Sequence, residues 1–474
     1  MNWHDKSVLV LGAGDTGLSV VRYLGRLGAR LRVADSRDRP PGSDELGRLG
    51  CEVISGEFTD ALFGDAELVV ASPGVAVAGP ACDAAIKRAI AKGHQFVGDI
   101  ELFAWQQNEI TGKKPKVIGI TGSNGKSTVT AMTGAMCSAA GLRTAVAGNI
   151  GLPVLDALSE AKQNGVPDVY VIELSSFQLE TTSTLHLDAA TMLNLSQDHL
   201  DRYDDMGAYA AAKQRIFVNA SRQTVNRADA SSMSMKDGRC ECASFGLDQP
   251  DKAKNFGIVD GWLMRGDRKL IALDKVPVAG LHNVANALAA FALVDAIGVD
   301  LTKAADGLRS FKGLPHRSQL VGVVNGVTFL DDSKGTNVGS TVAALSGMAV
   351  PTILIAGGDG KQQDFTPLAE PVRKHARAVV LIGKDARSIE SAITSARVPC
   401  LHAADMDTAV RLALANANPG DAVLLSPACA SFDMFKNYKH RGEVFAASVR
   451  ALMVSTTSTK STKSTKSGSE GGHA

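Results

Sequence analysis

Lys126, Ser127 and Thr128 close a glycine-rich loop that follows an apolar run, in Val117-Ile-Gly-Ile-Thr-Gly-Ser-Asn-Gly-Lys-Ser-Thr128. Their types and spacing suit phosphate chemistry. Gly122 and Gly125, with Ser123 and Asn124 between them, let backbone N–H groups turn inward, Lys126 neutralises outer phosphates, and Ser127 offers an oxygen to Mg²⁺. The strict G-x-x-x-x-G-K-[ST] spacing is missed, because Ile120 stands six residues before Lys126; T-G-x-x-G-K-S, with Gly122 making the turn, describes the loop. A Gly/Ser surface turn with one solvated lysine is the bland alternative, and a β-branched strand leading into a helix argues against it. The strand is expected over Val117 to Ile120 and the helix from Ser127 or Thr128.

Two further segments offer metal ligands. In Val169-Tyr-Val-Ile-Glu-Leu-Ser-Ser-Phe-Gln-Leu-Glu180 a buried strand delivers Glu173 to its carboxyl end, where ligands of open α/β sheets collect. A carboxylate there can hold Mg²⁺ beside the phosphate loop. Asn194-Leu-Ser-Gln-Asp-His-Leu-Asp201 follows the next strand and sends His199 to the same edge, a nitrogen ligand for a second ion. Taken singly, such a Glu pairs with a surface base and such a His is structural. Lys213, in Ala211-Ala-Lys-Gln-Arg-Ile-Phe217, reads as a solvated helical lysine.

A competing signal lies near the amino terminus. Leu11-Gly12-Ala-Gly14-Asp-Thr-Gly17 matches G-x-G-x-x-G after a strand, and Asp35 ends the next strand, as a dinucleotide site requires. Alone, this suggests a nicotinamide-dependent oxidoreductase. Asp15 would set a carboxylate against a pyrophosphate, however, and no hydride-transfer site is evident, so the loop reads as a nucleotide-diphosphate loop, with tight-turn glycines as the structural alternative. A non-catalytic nucleotide-binding switch is the other rival; Glu173, His199 and Lys361 count against both.

These residues need elements to hold them. At 474 residues the chain exceeds one core, so two or three domains are expected. Strand candidates at Ser7–Leu11, Arg30–Ala34, Leu68–Ala71, Val169–Leu174, Ala189–Leu195, Val327–Leu330, Thr352–Ala356, Val379–Ile382 and Ala422–Leu425 alternate with helical segments, including one near Leu18 to Leu27. That alternation is the pattern of parallel sheets covered on both faces, an α/β class. A polar stretch, Gln106 to Pro115, separates the first unit from the phosphate-loop unit, and several short strands are expected between 220 and 278. The formal net charge is +1 and no basic stripe occurs, so nucleic acid is not a favoured partner. Seven scattered cysteines without C-x-x-C argue against disulfides or zinc and fit a reduced cytoplasm. Met1 to Lys6 holds no apolar signal core and no apolar span suits a bilayer, so no membrane insertion is expected. Ser455 to Ala474 repeats Ser-Thr-Lys without an apolar anchor, and disorder is expected there.

Taken together, the chain resembles the Mur ligase family over nearly everything but this tail. The motifs that carry the resemblance are Gly119 to Thr128, Gly148-Asn-Ile-Gly-Leu-Pro153, Glu173 to Glu180, Leu314-Pro-His-Arg317, Asp332-Ser-Lys-Gly-Thr-Asn337, Gly357-Gly-Asp-Gly-Lys361 and Ser426-Pro-Ala-Cys-Ala-Ser431. The resemblance implies three domains: a Rossmann-like one for a UDP sugar (1–98), a central ATPase of the P-loop type (99–313) and a Rossmann-like one that closes over ATP and the amino acid (314–454). It implies ATP-dependent addition of D-glutamate to UDP-N-acetylmuramoyl-L-alanine through an acyl phosphate, by a monomer serving peptidoglycan precursor synthesis. Two magnesium ions are implied, one on Ser127 and Glu173 and one on His199, with Lys213 as a carbamylated lysine. Adenine and ribose fall to Asn283, Asn286, Arg317 and Asp332, with Arg317 and Lys334 near the phosphates. Lys361 and Thr336 would meet the D-glutamate α-carboxylate, and Ser426 with the backbone near Tyr438 its side-chain carboxylate. The UDP sugar falls to Asp15, Thr16, Ser36, Arg37, Ser72, Gly74 and Asn149, with Ser175 also on the substrate side. A sister enzyme adding another residue, or a folylpolyglutamate-type ligase, is the alternative within this class.

Overall fold

The computed structural model describes residues 2–109, 114–278 and 280–464. By contacts the chain divides into two units, one of Met1–Val276 with Ala285–Phe311 and one of Pro277–Val284 with Lys312–Ala474. Among the described residues the first unit holds two sheets and the second holds one.

The first sheet is fully parallel: β1 (Ser7–Leu11), β2 (Arg30–Asp35), β3 (Glu52–Ser55), β4 (Leu68–Ala71) and β5 (Phe96–Val97), in the order β3-β2-β1-β4-β5. β1 and β4 are buried along their whole length, as strands covered on both faces must be. The order reverses between β1 and β4, and the loops leaving both strands meet there. Ser72 Oγ donates to Gly12 O at 3.2 Å. Helix Asp15–Arg26 starts directly above, so close that a Cβ on Gly17 would lie 1.9 Å from Gly12 O.

The second sheet comprises β6 (Lys116–Thr121), β7 (Thr144–Gly148), β8 (Val169–Glu173), β9 (Ala189–Met192), β10 (Arg222–Asn226), β11 (Glu241–Phe245), β12 (Phe256–Val259), β13 (Trp262–Arg265) and β14 (Arg268–Ala272). Its order is β14-β13-β12-β11-β10-β9-β6-β8-β7, parallel except for the β12-β13-β14 meander. β6 lies between β8 and β9, so their three carboxyl ends share one edge. One hydrophobic core runs under both sheets of this unit. Helix Asp99–Glu109 joins it through Phe103, edge-on to Tyr170 at 5.2 Å, and through Glu101, which accepts from the backbone N–H groups of Ser183 and Thr184.

The second unit carries β15 (Gln319–Val324), β16 (Val327–Asp331), β17 (Thr352–Gly357), β18 (Ala376–Ile382), β19 (Cys400–His402) and β20 (Ala422–Leu425), in the order β15-β16-β20-β17-β18-β19. Only β15 is antiparallel, at the edge. The carboxyl ends of β16, β20 and β17 stand side by side.

Several expectations change. The phosphate-loop helix begins at Lys126, one residue early, because left-handed Gly125 (φ 84°) already turns the chain. The strand expected over Ala189–Leu195 ends at Met192, because Leu193 to Leu195 leave the ladder for the site loop. The polar stretch 106–115 is helical to Glu109, in a helix docked by Phe103 packing and by Glu101 hydrogen bonds; Ile110–Lys113 lie outside the described residues. Helix Tyr438–Ser464 runs through the first half of the segment expected to be disordered, and 465–474 lie outside the described residues. Extending an existing helix adds a hydrogen bond per residue without a new nucleus, which Ser/Thr/Lys repeats tolerate.

Candidate active site

The phosphate loop is tied by hydrogen bonds to the segment that follows β9 and to Tyr209. Asn124 N donates to Asn194 Oδ1 at 2.8 Å, Asn194 Nδ2 returns a bond to Asn124 O at 3.0 Å, and Ser196 N donates to Ser123 Oγ at 3.0 Å. Ser123 also meets the Tyr209 hydroxyl at 3.1 Å. Gly125 must be glycine: its φ is left-handed, and a Cβ would sit 2.6 Å from Asn286 Oδ1. Asn286 therefore abuts the loop. Lys126 curls over it, donating from Nζ to Gly122 O and Ser123 O, each at 2.9 Å. Ser127 and Thr128 are buried in the first turn of the helix, where N–H groups face an anion.

Glu173 ends β8 beside this loop and is buried. Asn149 Nδ2 donates to its Oε1 at 2.8 Å, while its Oε2 is buried with no hydrogen-bond partner among the described residues. A buried, unmatched carboxylate oxygen is costly, and a cation resolves it. The donor set fits magnesium: hydroxyl and carboxylate oxygens, with no group of three His, Cys, Asp or Glu among the described residues, suit an ion that keeps waters and phosphate oxygens.

His199 sits in a left-handed turn (φ 56°), its ring edge-on to Phe177 at 4.7 Å. Burial holds its pKa below the ordinary histidine value; Asp198 pulls upward, and Lys126 and Lys213 push further down. The neutral imidazole is the metal-binding form. Asp198, at 3.6 Å from His199 Nε2, is the acidic neighbour to which the sequence reading gave no role.

Lys213 overturns its sequence reading as a solvated residue. It is 1% exposed, donates from Nζ to Gly122 O at 2.8 Å and lies 4.8 Å above the Tyr209 ring. Burial, then Lys126, hold its amine well below the usual lysine range, against the pull of Asp198 and Glu173.

At the first sheet, Asp15 is exposed at the helix start with Thr16, and Ser36, Arg37, Ser72 and Gly74 lie on the loops leaving β2 and β4. Asp35 is occupied: it accepts from Ala13 N at 2.8 Å and from Arg37 Nη2 at 2.6 Å. Burial raises its pKa, but the Arg37 guanidinium and the Ala13 and Arg37 N–H groups outweigh that and leave it at about 2. Both Asp35 oxygens are thus engaged in holding the loops after β1 and β2, which counts against the dinucleotide reading. Ser175 caps helix Ser176–Glu180 in a reciprocal box with Gln178.

The second unit gathers its own set. Asp332 follows β16 and is buried; burial and neighbouring Asp331 raise it, against Ser426, Arg317 and the Ser318 N–H, to about 7. Ser426 is fully buried, its hydroxyl donated to Asp332 Oδ2 at 2.8 Å and 3.1 Å from Thr341 Oγ1. Lys334 Nζ lies 3.9 Å over the Tyr438 ring, and Tyr438 O accepts from Ser333 Oγ. Thr336 follows on the same loop; Lys361 is exposed in a left-handed turn (φ 48°) after β17. Arg317 and Asn283 lie in this unit as well, Asn283 buried in the first turn of helix Leu281–Ala296. Arg441, unnoticed in the sequence, is wholly buried and donates to Ser333 O, Cys429 O and Ala430 O, tying these loops together.

A phosphate cradle, an unmatched carboxylate and a buried lysine gathered beside one sheet edge define a site for a nucleotide's phosphates and a metal ion. The family descriptions "Mur ligase MurD-like, N-terminal domain", "Mur ligase middle domain" and "Mur ligase, glutamate ligase domain" match residues 6–98, 120–294 and 316–429. The chain belongs to the Mur ligase family, with its three α/β domains, and is a ligase. It is 55% identical over 454 residues to the UDP-N-acetylmuramoylalanine--D-glutamate ligase of Methylobacillus flagellatus, covering 94% of this chain and 97% of that one. The like-named ligase of Nitrosomonas europaea is 50% identical, over 95% of this chain and 98% of that one. Among solved structures, UDP-N-acetylmuramate-alanine ligase from Thermotoga maritima shares the fold at a TM-score of 0.57 and 17% identity, covering 94% of this chain and 100% of that one. Folylpolyglutamate synthase of Mycobacterium tuberculosis, complexed with ADP, does so at 0.52 and 16%, covering 70% and 90%. No helix among the described residues is long and apolar enough to cross a membrane.

Proposed function

We propose that this ligase joins D-glutamate to UDP-N-acetylmuramoyl-L-alanine at the expense of ATP, as a cytoplasmic monomer in peptidoglycan precursor synthesis, with domains at 1–98, 99–313 and 314–454. The observation that carries the substrate assignment is the 55% identity across 94% of the chain to a ligase named for that reaction.

The residues make physical sense of it. A carboxylate and an amine do not condense in water at neutral pH, so the L-alanyl carboxylate first attacks the γ-phosphate of ATP, the bond to the β–γ bridging oxygen breaks, and ADP leaves. The amine of D-glutamate then attacks the acyl phosphate, and inorganic phosphate leaves. Two anions must approach in line, and Lys126 and the loop N–H groups lower that barrier by meeting the charge on the transferred phosphoryl group. Ser127 with Glu173, and His199 with Lys213, would hold two magnesium ions, whose chemistry is charge neutralisation. Lys213 is suited to carbamylation, because a buried amine pushed toward its neutral form is the species that adds CO₂. Asn283, Asn286, Arg317, Asp332 and Lys334 serve the nucleotide; Lys361 and Thr336 serve the D-glutamate α-carboxylate, and Ser426 with the Tyr438 backbone its side-chain carboxylate. Asp15, Thr16, Ser36, Arg37, Ser72, Gly74, Asn149 and Ser175 serve the UDP sugar.

ATP-dependent phosphate release, measured across acceptor amino acids, tests the proposal. Release should require both UDP-N-acetylmuramoyl-L-alanine and D-glutamate, since an ångström-scale error at the attacking amine costs rate steeply. Equal activity with L-glutamate, meso-diaminopimelate or L-lysine would overturn it.

A further inference from the structure

The turn that carries His199 also carries an arginine that the phosphoryl chemistry does not use. Arg202 is 6% exposed, and its backbone N–H donates to His199 O at 2.9 Å, so its position is tied to that turn. Its guanidinium reaches the first sheet: Nη1 donates to Pro73 O at 3.0 Å and Nη2 lies 3.4 Å from Val75 O. Nη2 also pairs with Glu180 Oε2 at 2.9 Å. The guanidinium carbon lies 4.3 Å from the centroid of Phe177, whose ring meets the His199 ring at 4.7 Å. The backbone repeats the contact, because a Cβ on Gly79 would lie 2.7 Å from Arg202 O.

A buried ion pair is a weak source of stability, since desolvation offsets most of its attraction. What the pair supplies is geometry: a planar guanidinium with donors in a fixed fork can hold two carbonyls and a carboxylate at once. The carbonyls belong to the segment after β4 that includes Ser72 and Gly74, and the carboxylate ends the helix that carries Phe177. One side chain thus links the sugar-side loop of the first sheet to the histidine turn of the second.

We propose that Arg202 is a positioning residue that holds the Ser72–Val75 loop in register with the His199 turn, so that the substrate carboxylate meets the γ-phosphate in line. This rests on the ligase reading above. Steady-state kinetics for each substrate, calorimetric binding of UDP-N-acetylmuramoyl-L-alanine and thermal unfolding test it in four variants. Arg202→Met should raise KM and Kd for the UDP substrate about tenfold and lower kcat by about ten- to a hundredfold, with KM for ATP within about twofold. Arg202→Lys, which keeps charge but not the fork, should fall between. Arg202→Met with Glu180→Leu removes both buried charges; it should regain melting temperature yet keep the raised KM. Arg22→Met breaks another link within this unit, Arg22 Nε to Asp156 Oδ1 at 3.1 Å, and should lower only the melting temperature. Recovery of KM together with melting temperature in the double variant, or a parallel rise in KM for ATP, overturns the proposal. Failure of the unmutated chain to bind the UDP substrate overturns the ligase reading instead.

Discussion

Lys213 carries the sharpest consequence at the scale of single residues. Its amine is buried, and protonating it beside Lys126 is unfavourable. Lys213→Ala should remove most ligase activity while leaving the fold intact, and formate or acetate at high concentration should restore part of it by supplying a carboxylate in the vacated space. Lys213→Arg should stay inactive, because a guanidinium cannot carry a carbamate; near-normal turnover in that variant would show an ordinary cation at work. Asp332 gives a pH signature. Its carboxyl, raised to about 7, keeps a proton in the folded chain that the unfolded chain has already released. Its contribution is therefore fully present below the ordinary carboxylate range and is lost as pH rises toward about 7. Asp332→Asn should flatten that decline in unfolding midpoints measured between roughly pH 4 and 7. An unchanged slope would place the proton elsewhere.

At the scale of elements, close approach of backbone to backbone positions both loops. Helix Asp15–Arg26 can begin above β1 only because Gly17 has no Cβ to meet Gly12 O at 1.9 Å. Gly17→Ala should destabilise the chain by about 1–3 kcal/mol, the cost of overpacking, and should weaken UDP-sugar binding more than ATP binding. Chemical denaturation and calorimetry measure the two effects. Equal losses for both ligands would mean that the helix shift spreads beyond the first sheet. The reverse logic holds at Asp35, where a motif position that suggested a cofactor contact is spent on loop structure through Ala13 N and Arg37.

At the scale of the whole molecule, the chain builds the phosphate loop, Glu173, His199 and Lys213 in one unit and Arg317, Asp332, Lys334 and Lys361 in the other. The carboxyl-terminal segment adds to neither by composition, since Ser455 to Ala474 contains repeats of Ser, Thr and Lys. Its deletion should leave melting temperature and turnover within error. A large loss of either would show that the segment docks.

Composition and local pattern by themselves determined the α/β alternation, the phosphate loop and the strand that ends in Glu173, because apolar runs, glycine turns and strand-end polarity act over a few neighbouring residues. The β-branched run before Gly122 and the Lys-Ser-Thr after Gly125 needed no distant partner to be legible. Only the tertiary structure decided that Lys213 is buried and neutral-leaning, that Ser426 donates to Asp332, and that Arg202 spans two sheets. Burial and charge proximity join residues far apart in sequence, as Lys213 with Gly122 O and Arg202 with Pro73 O, and no spacing rule reports them.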